Sequence, residues 1–222
     1  NPNKLPRTAE MDAKYKNPDN DIMPWTSSDA FAADAATHQG MVYAIQHPFT
    51  GSLIYPYNGA HWRYQQDAML EYMSGWTKYE LREIDDAEKR AEICGVSEKE
   101  VRSGVMGILL ADTLDIAKEN ASKILRRGQW PRFYFTNGGK GGIRRKTYID
   151  SVEGKPPTNY WPYADVGHTD EAAKIVKAIF GGKATFDTPK PPRLIERILQ
   201  IAGDNNTLIL DSFAGSGTTA HA

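Results

Sequence analysis

The residues best placed to do chemistry stand together near the end of the sequence, in Asp211-Ser-Phe213-Ala214-Gly215-Ser-Gly217-Thr218-Thr. Before them runs Thr207-Leu-Ile-Leu210, mostly branched and uncharged, and the whole reads as strand, tight turn and helix start. Two glycines spaced by one residue let the backbone take positive φ and come close to a ligand. The helix that follows offers free N–H groups and a positive dipole end to an anion. A Walker phosphate loop needs a Lys before its Ser/Thr, and here Gly217 is followed directly by Thr218. A dinucleotide fingerprint is formally met by Gly215-Ser-Gly217-Thr-Thr-Ala220, which keeps a nicotinamide-dependent dehydrogenase open as a weaker alternative. Its acidic partner about 20 residues on would lie past Ala222.

Upstream, Phe186-Asp-Thr188-Pro189-Lys190-Pro-Pro-Arg-Leu-Ile-Glu-Arg-Ile-Leu-Gln200 predicts an amphipathic helix. Thr188 can cap it, prolines sit at or before its first turn, and Leu194, Ile195, Ile198 and Leu199 form its apolar stripe. Taken together, the Thr-Pro-Lys-Pro segment and the glycine loop resemble adenine-specific DNA methyltransferases, and in particular the methylation (Mod) subunits of type III restriction-modification systems. The resemblance continues in patches: Tyr15-Lys-Asn-Pro-Asp-Asn-Asp21 with Pro24-Trp25, Pro48-Phe-Thr-Gly51, Tyr55-Pro56, His61-Trp-Arg-Tyr64, and the passage from Tyr160 to Thr169.

What the resemblance implies is methyl transfer from S-adenosyl-L-methionine to the exocyclic amine of adenine in double-stranded DNA. Asp211, Phe213, Ala214, Gly215, Gly217 and Thr218 would form the cofactor loop, with Thr188, Pro189 and Lys190 beside it. The family also uses a tetrapeptide of Asp, Asn or Ser, then Pro-Pro, then an aromatic. Tyr55-Pro56-Tyr57, Trp161-Pro162-Tyr163 and Lys155-Pro-Pro-Thr158 match it only in part. The expectation is therefore a piece of a larger enzyme, inactive alone, that covers the target-recognition region and the start of the cofactor motif. A non-catalytic DNA-binding recognition module is the alternative. Implied partners are DNA, a restriction subunit and a second copy of the chain.

The expected fold class is α/β, mixed α+β in the recognition region, as a piece of a Rossmann-like methyltransferase with β-hairpins and a helical insert. Four segments are expected: 1–75, a linker with a hairpin and helix; 76–128, a helical insert; 129–168, a basic hairpin and linker; 169–222, the return to the cofactor-binding core. Ser27-Ser28-Asp29 caps a predicted short helix through Ala36. Met41–Gln46 and Leu53–Tyr55 predict a hairpin, followed by a helix over 65–73. Within the insert, Leu81 to Ile93 reads as helix, Ser97-Glu-Lys-Glu100 as a capping box opening a second, and Leu114 to Leu125 as a third.

The 222-residue chain carries a net charge of −1, so the total gives no nucleic-acid signal. Its distribution says more: from Asn120 to Ile149 stand eight basic residues and no acidic one. Pro131–Thr136 and Ile143–Ile149 alternate like strands around Asn137-Gly-Gly-Lys-Gly-Gly142. A basic two-stranded ribbon can enter a major groove or track a backbone, so Lys140, Arg144, Arg145 and Lys146 are the expected DNA contacts, against a solvated face as the bland reading. Trp62 and Arg63 read as a packed Trp beside a surface Arg, and His168 as a capping residue. The single Cys94 fits a buried thiol in a reducing cytoplasm. No Cys/His spacing suggests a metal, and no apolar run is long enough for a membrane span.

Overall fold

A computed structural model of the chain describes residues 3–183 and 185–222, so the first two residues of the expected 1–75 segment lie outside it. Helices and sheets are mixed, as the α/β expectation requires. The chain divides into two compact units, one of residues 13–151 and one of 1–12 with 152–222.

The 13–151 unit is built on a four-stranded sheet in the order β4-β3-β7-β6, where β3 is Ile45–Gln46, β4 Leu53–Ile54, β6 Tyr79–Arg82 and β7 Gly107–Leu110. The predicted hairpin forms: Ile45 faces Ile54 and Gln46 faces Leu53 across a turn in which Gly51 has φ +78°. Val42, Tyr43, Ala44 and Ile45 are fully buried, yet ladder pairing covers only Ile45 and Gln46, and Met41, expected to open the strand, belongs to a 3-10 turn over Gln39–Met41. Strand β7 runs parallel to β3 and antiparallel to β6, and its Gly-Ile-Leu-Leu is buried throughout. A continuous apolar strand of this kind is covered on both faces. The helix Gln66–Ser74 buries Met69 and Met73, while Leu114–Arg127 buries Ala117 and Ala121.

Two expectations fail here for one reason. Ser27–Ala36 is not helical: Trp25–Asp29 is β1 and Phe31–Ala33 is β2. Likewise 76–128 is not simply a helical insert, because besides the helices Ala87–Cys94 and Leu114–Arg127 it donates β6 and β7 to the sheet. Ser, Asp and charged residues serve a cap and a strand flank equally well, and long-range pairing decides between them. The Ser97–Glu100 capping box does form, but it closes a 3-10 turn over Glu98–Glu100, since Arg102 bonds the Gln39 side chain and Gly104 turns at φ +70°.

A second sheet, β1-β9-β8, joins Trp25–Asp29 to Ile143–Tyr148 (β9) and Phe133–Phe135 (β8), all antiparallel. Strand β2 pairs with β5 (Ala60–Trp62), setting Phe31 opposite Trp62. Indole N–H groups lock this core: Trp62 Nε1 donates to the Tyr43 carbonyl at 2.8 Å and Trp76 Nε1 to that of Phe133 at 2.8 Å. Trp62 is wholly buried, so it packs, as read from sequence.

The other unit is made mainly of the helices Ala9–Asp12, Tyr163–Val166, Thr169–Ile179, Pro192–Ala202 and Thr218–His221, with an isolated bridge from Leu5 to Lys155. Thr207–Leu210, expected as the last strand, takes no strand pairing, and Leu208 and Leu210 are almost fully exposed. A strand exists only through its partners, and none of the described residues lies beside it as one. No helix among the described residues is long and apolar enough to cross a membrane.

Candidate functional site

In the smaller unit, the helix Pro192–Ala202 starts with Pro at its first position, where a missing N–H costs nothing. Its flanking residue is Pro191, so Thr188 is not the cap; the Thr188–Lys190 stretch instead runs past the glycine loop. Arg193 ties this helix down. Its guanidinium grips both Glu171 carboxylate oxygens, at 2.9 and 2.7 Å, and donates to the Ala164 carbonyl at 2.8 Å. Glu171 opens the helix Thr169–Ile179, whose flanking His168 accepts the Glu171 N–H on Nδ1 at 3.4 Å. His168 thus caps, as its sequence position implies.

The glycine loop folds back on this platform. Gly215 and Gly217 have φ of +55° and +74°, the left-handed region that favours glycine. Thr218 Oγ1 donates to the Lys190 carbonyl at 3.2 Å and so joins the loop to the Thr-Pro-Lys-Pro segment. Asp211 is held from both sides: Thr219 Oγ1 donates to one carboxylate oxygen at 2.7 Å and the Phe213 N–H to the other at 3.1 Å. These bonds, that of Thr219 first, hold the Asp211 carboxyl below its ordinary value, so it is anionic at neutral pH.

Between the two segments lies a cleft of 310 Å³. Of the nine residues expected at the cofactor, seven line it: Thr188, Lys190, Asp211, Phe213, Ala214, Gly215 and Thr218. Pro189 is buried instead, and Gly217 lines a second hollow of 340 Å³ with Ile209, Asp211 and Ala220. A β-carbon placed on Gly215 would have as its nearest neighbours Phe186 Cζ at 3.6 Å and the Phe213 carbonyl at 3.8 Å. Both are ordinary contact distances, so it is the positive φ that calls for glycine here; Phe186 and Phe213, both exposed, line the same cleft. Sequence reasoning left out Phe186, which its place two residues before Thr188 could have suggested. The helix after the loop, Thr218–His221, has four residues, too few for the dipole argument to carry weight. Anionic Asp211, hydroxyls and aromatic walls are what the cleft offers.

The basic ribbon behaves differently from its sequence. Strands β8 and β9 form the predicted hairpin, but Lys146 is wholly buried and cannot touch DNA. Its ammonium meets Asp19 and Asp21, each at 2.5 Å, and donates to the Trp130 carbonyl at 2.7 Å. Asp19 also accepts from Trp25 Nε1 and from the Trp130 N–H, both at 2.8 Å. Burial acts to raise the Asp21 carboxyl, but Lys146, the Tyr148 hydroxyl and the Ile22 N–H together hold it below its ordinary value. Arg144 pairs with Asp29 at 2.7 Å, and Arg145 reaches Ser28 at 3.4 Å. Lys140, at the tip, is exposed and has no ion pair among the described residues. The acidic partners lie over 100 positions away in sequence, which is why the local charge count missed them.

With the loop, cleft and ribbon in place, the chain can be classed. Residues 35–222 match the DNA methylase family, of the N6/N4 methyltransferase type, and the chain belongs to that family. Among its relatives, the Mod subunit of the type III restriction-modification enzyme StyLTI from Salmonella typhimurium is 43% identical over 89 residues, 40% of this chain and 13% of that protein. The type II methyltransferase M.KpnI of Klebsiella pneumoniae is 37% identical over 97 residues, 44% of this chain and 22% of its own length. The EcoPI Mod subunit of Escherichia phage P1 is 35% identical over 79 residues, 36% of this chain and 12% of that protein. The chain therefore spans a minor part of each of these relatives.

Proposed function

We propose that the chain is part of an S-adenosyl-L-methionine-dependent DNA methyltransferase acting on the N6 amine of adenine, in which the 13–151 unit reads DNA and the other unit holds the cofactor. The observation that carries this reading is the cleft that joins the glycine loop to Thr188 and Lys190. When bound, the cofactor supplies an activated methyl group on a sulfonium. Anionic Asp211 suits a cationic ligand, the exposed Phe186 and Phe213 rings suit the faces of a purine, and Gly215 supplies the positive φ that the loop between them requires. The target amine has to leave the base stack to be methylated. Orienting it would fall to the Pro-Pro tetrapeptide, which this chain does not contain, so the chain alone is read as inactive. A restriction subunit and a second copy remain proposed partners, and the cytoplasm, where a lone thiol stays reduced, the proposed setting.

Calorimetric titration of S-adenosyl-L-methionine, with NAD as control, tests the cofactor reading. The chain, or a version extended to include the tetrapeptide, should bind the methyl donor and not NAD. Gly215→Val should abolish that binding with the fold retained, since a β-branched residue is strained at φ +55° and its side chain would fill the cleft. Undiminished affinity in the variant would sink the assignment. The alternative, a recognition module without catalysis, is favoured by the separate core of the 13–151 unit. It predicts salt-sensitive DNA binding with no cofactor affinity in either version.

A further inference from the structure

The tip of the β8–β9 ribbon, residues 137–142, has four glycines and only two side chains beyond hydrogen, those of Asn137 and Lys140. It is nonetheless tightly held. The Thr136 N–H donates to the Gly142 carbonyl at 3.0 Å, and the Gly141 N–H to the Thr136 carbonyl at 2.9 Å. Gly139, at φ +86°, sits so close to the Phe49 ring that a β-carbon there would come within 2.8 Å of it. Buried His47 fixes the far side. Its Nδ1 accepts the Phe49 N–H at 3.1 Å, which leaves Nε2 to carry the proton and donate to the Gly141 carbonyl at 3.3 Å.

Asn137 itself is exposed at φ +50°, ψ +45°, and neither its side-chain amide nor the Lys140 ammonium has a hydrogen-bond partner among the described residues. Farther down the ribbon, Arg144 and Lys146 are already paired with Asp29, Asp19 and Asp21. The structure thus pre-organises one free amide and one free cation on the rigid turn that ends the β8–β9 hairpin, two strands of the three-stranded β1-β9-β8 sheet, where exposed polar groups can meet a base edge and a phosphate. An amide that presents a donor and an acceptor side by side matches adenine N7 and N6, whereas an ammonium suits a phosphate.

We propose that Asn137 is a base-reading residue that recognises an adenine edge in the major groove of duplex DNA, with Lys140 on the adjoining phosphate. This rests on the DNA reading above. The test is selection from a pool of duplexes with a randomised core, using the chain as it stands, followed by sequencing of the bound fraction and salt titration. Asn137→Gly removes the amide yet keeps the left-handed backbone, and Asn137→Asp keeps the shape but loses the donor. Both should lower the preference for adenine at one position by about 5- to 150-fold and leave the other positions unchanged. Lys140→Gln should weaken all sequences alike and reduce the salt slope by about one unit. A wild-type preference that both Asn137 variants retain would overturn the tip assignment alone. No duplex binding by the wild-type chain would overturn the DNA reading together with it.

Discussion

In the 13–151 unit Ile45, Trp62, Met69 and Ile108 have no surface left in solvent, whereas in the other unit Leu208, Phe213 and Leu210 keep 90% or more of theirs. The first unit closes its own core through three sheets and a net of indole hydrogen bonds. The second holds its helices together by polar ties such as Arg193 to Glu171 and leaves an apolar run, Thr207–Leu210, unpaired. Burial of charge follows the same divide: Lys146 and Asp19 are wholly enclosed in the first, while Asp211 stands exposed in the second. The difference teaches that one unit is specified by its own contacts and the other is shaped around a cleft.

The largest effect that should separate them comes from Lys146. Lys146→Met would leave Asp19 and Asp21 buried without a counter-charge, and breaking a buried pair in this way costs about 3–5 kcal/mol. Urea unfolding followed by the fluorescence of Trp25, which lies 5.1 Å from the ammonium, should report that loss. A stability unchanged in the variant would mean that the pair is solvated, and the contrast between the units would fall.

Apolar truncations sharpen the contrast at a smaller scale. Ile108→Ala removes a fully buried side chain from β7, the strand that lies between β3 and β6 in the sheet, and should cost about 2–5 kcal/mol. Leu210→Ala should stay within about 0.5 kcal/mol, because that side chain is already in water. Equal costs measured by denaturant titration of the two variants would show that Thr207–Leu210 is packed after all.

How far these features were legible depends on the range of the interactions that make them. The β8–β9 hairpin, the helices Leu114–Arg127 and Thr169–Ile179 and the glycine loop were readable because turn chemistry and periodicity are local. Seven of nine residues expected at the cofactor do line one cleft, since Thr188–Lys190 and the loop are brought together by the short helix between them. Strands β1, β2, β6 and β7 were misread as helical ground, because their partners lie far along the chain. The ribbon's cations were misjudged for the same reason: Asp19 and Asp29 neutralise them across more than 100 residues of sequence.

A further contrast between the two units is their response to pH. Burial pushes the His47 imidazole below its ordinary value, and the bond to the Gly141 carbonyl only partly offsets this. Unfolded, the same group titrates near about 6.5, so below that pH the unfolded chain binds the proton more readily than the folded one. The stability contributed by neutral His47 is therefore complete above about pH 6.5 and is lost as pH falls toward the folded value, at up to about 1.4 kcal/mol per pH unit. Protonation would also displace the Phe49 N–H from Nδ1 and loosen the ribbon tip. Asp211, held below its ordinary carboxylate range, keeps its charge through the same window. Between pH 7.5 and 5.5, DNA affinity and the unfolding free energy of the 13–151 unit should thus decline, and His47→Gln should flatten both slopes, while affinity for S-adenosyl-L-methionine in the cofactor-competent form holds steady. Parallel loss of both affinities in the wild type would place the pH-sensitive group outside the His47 contact and remove this distinction between the units.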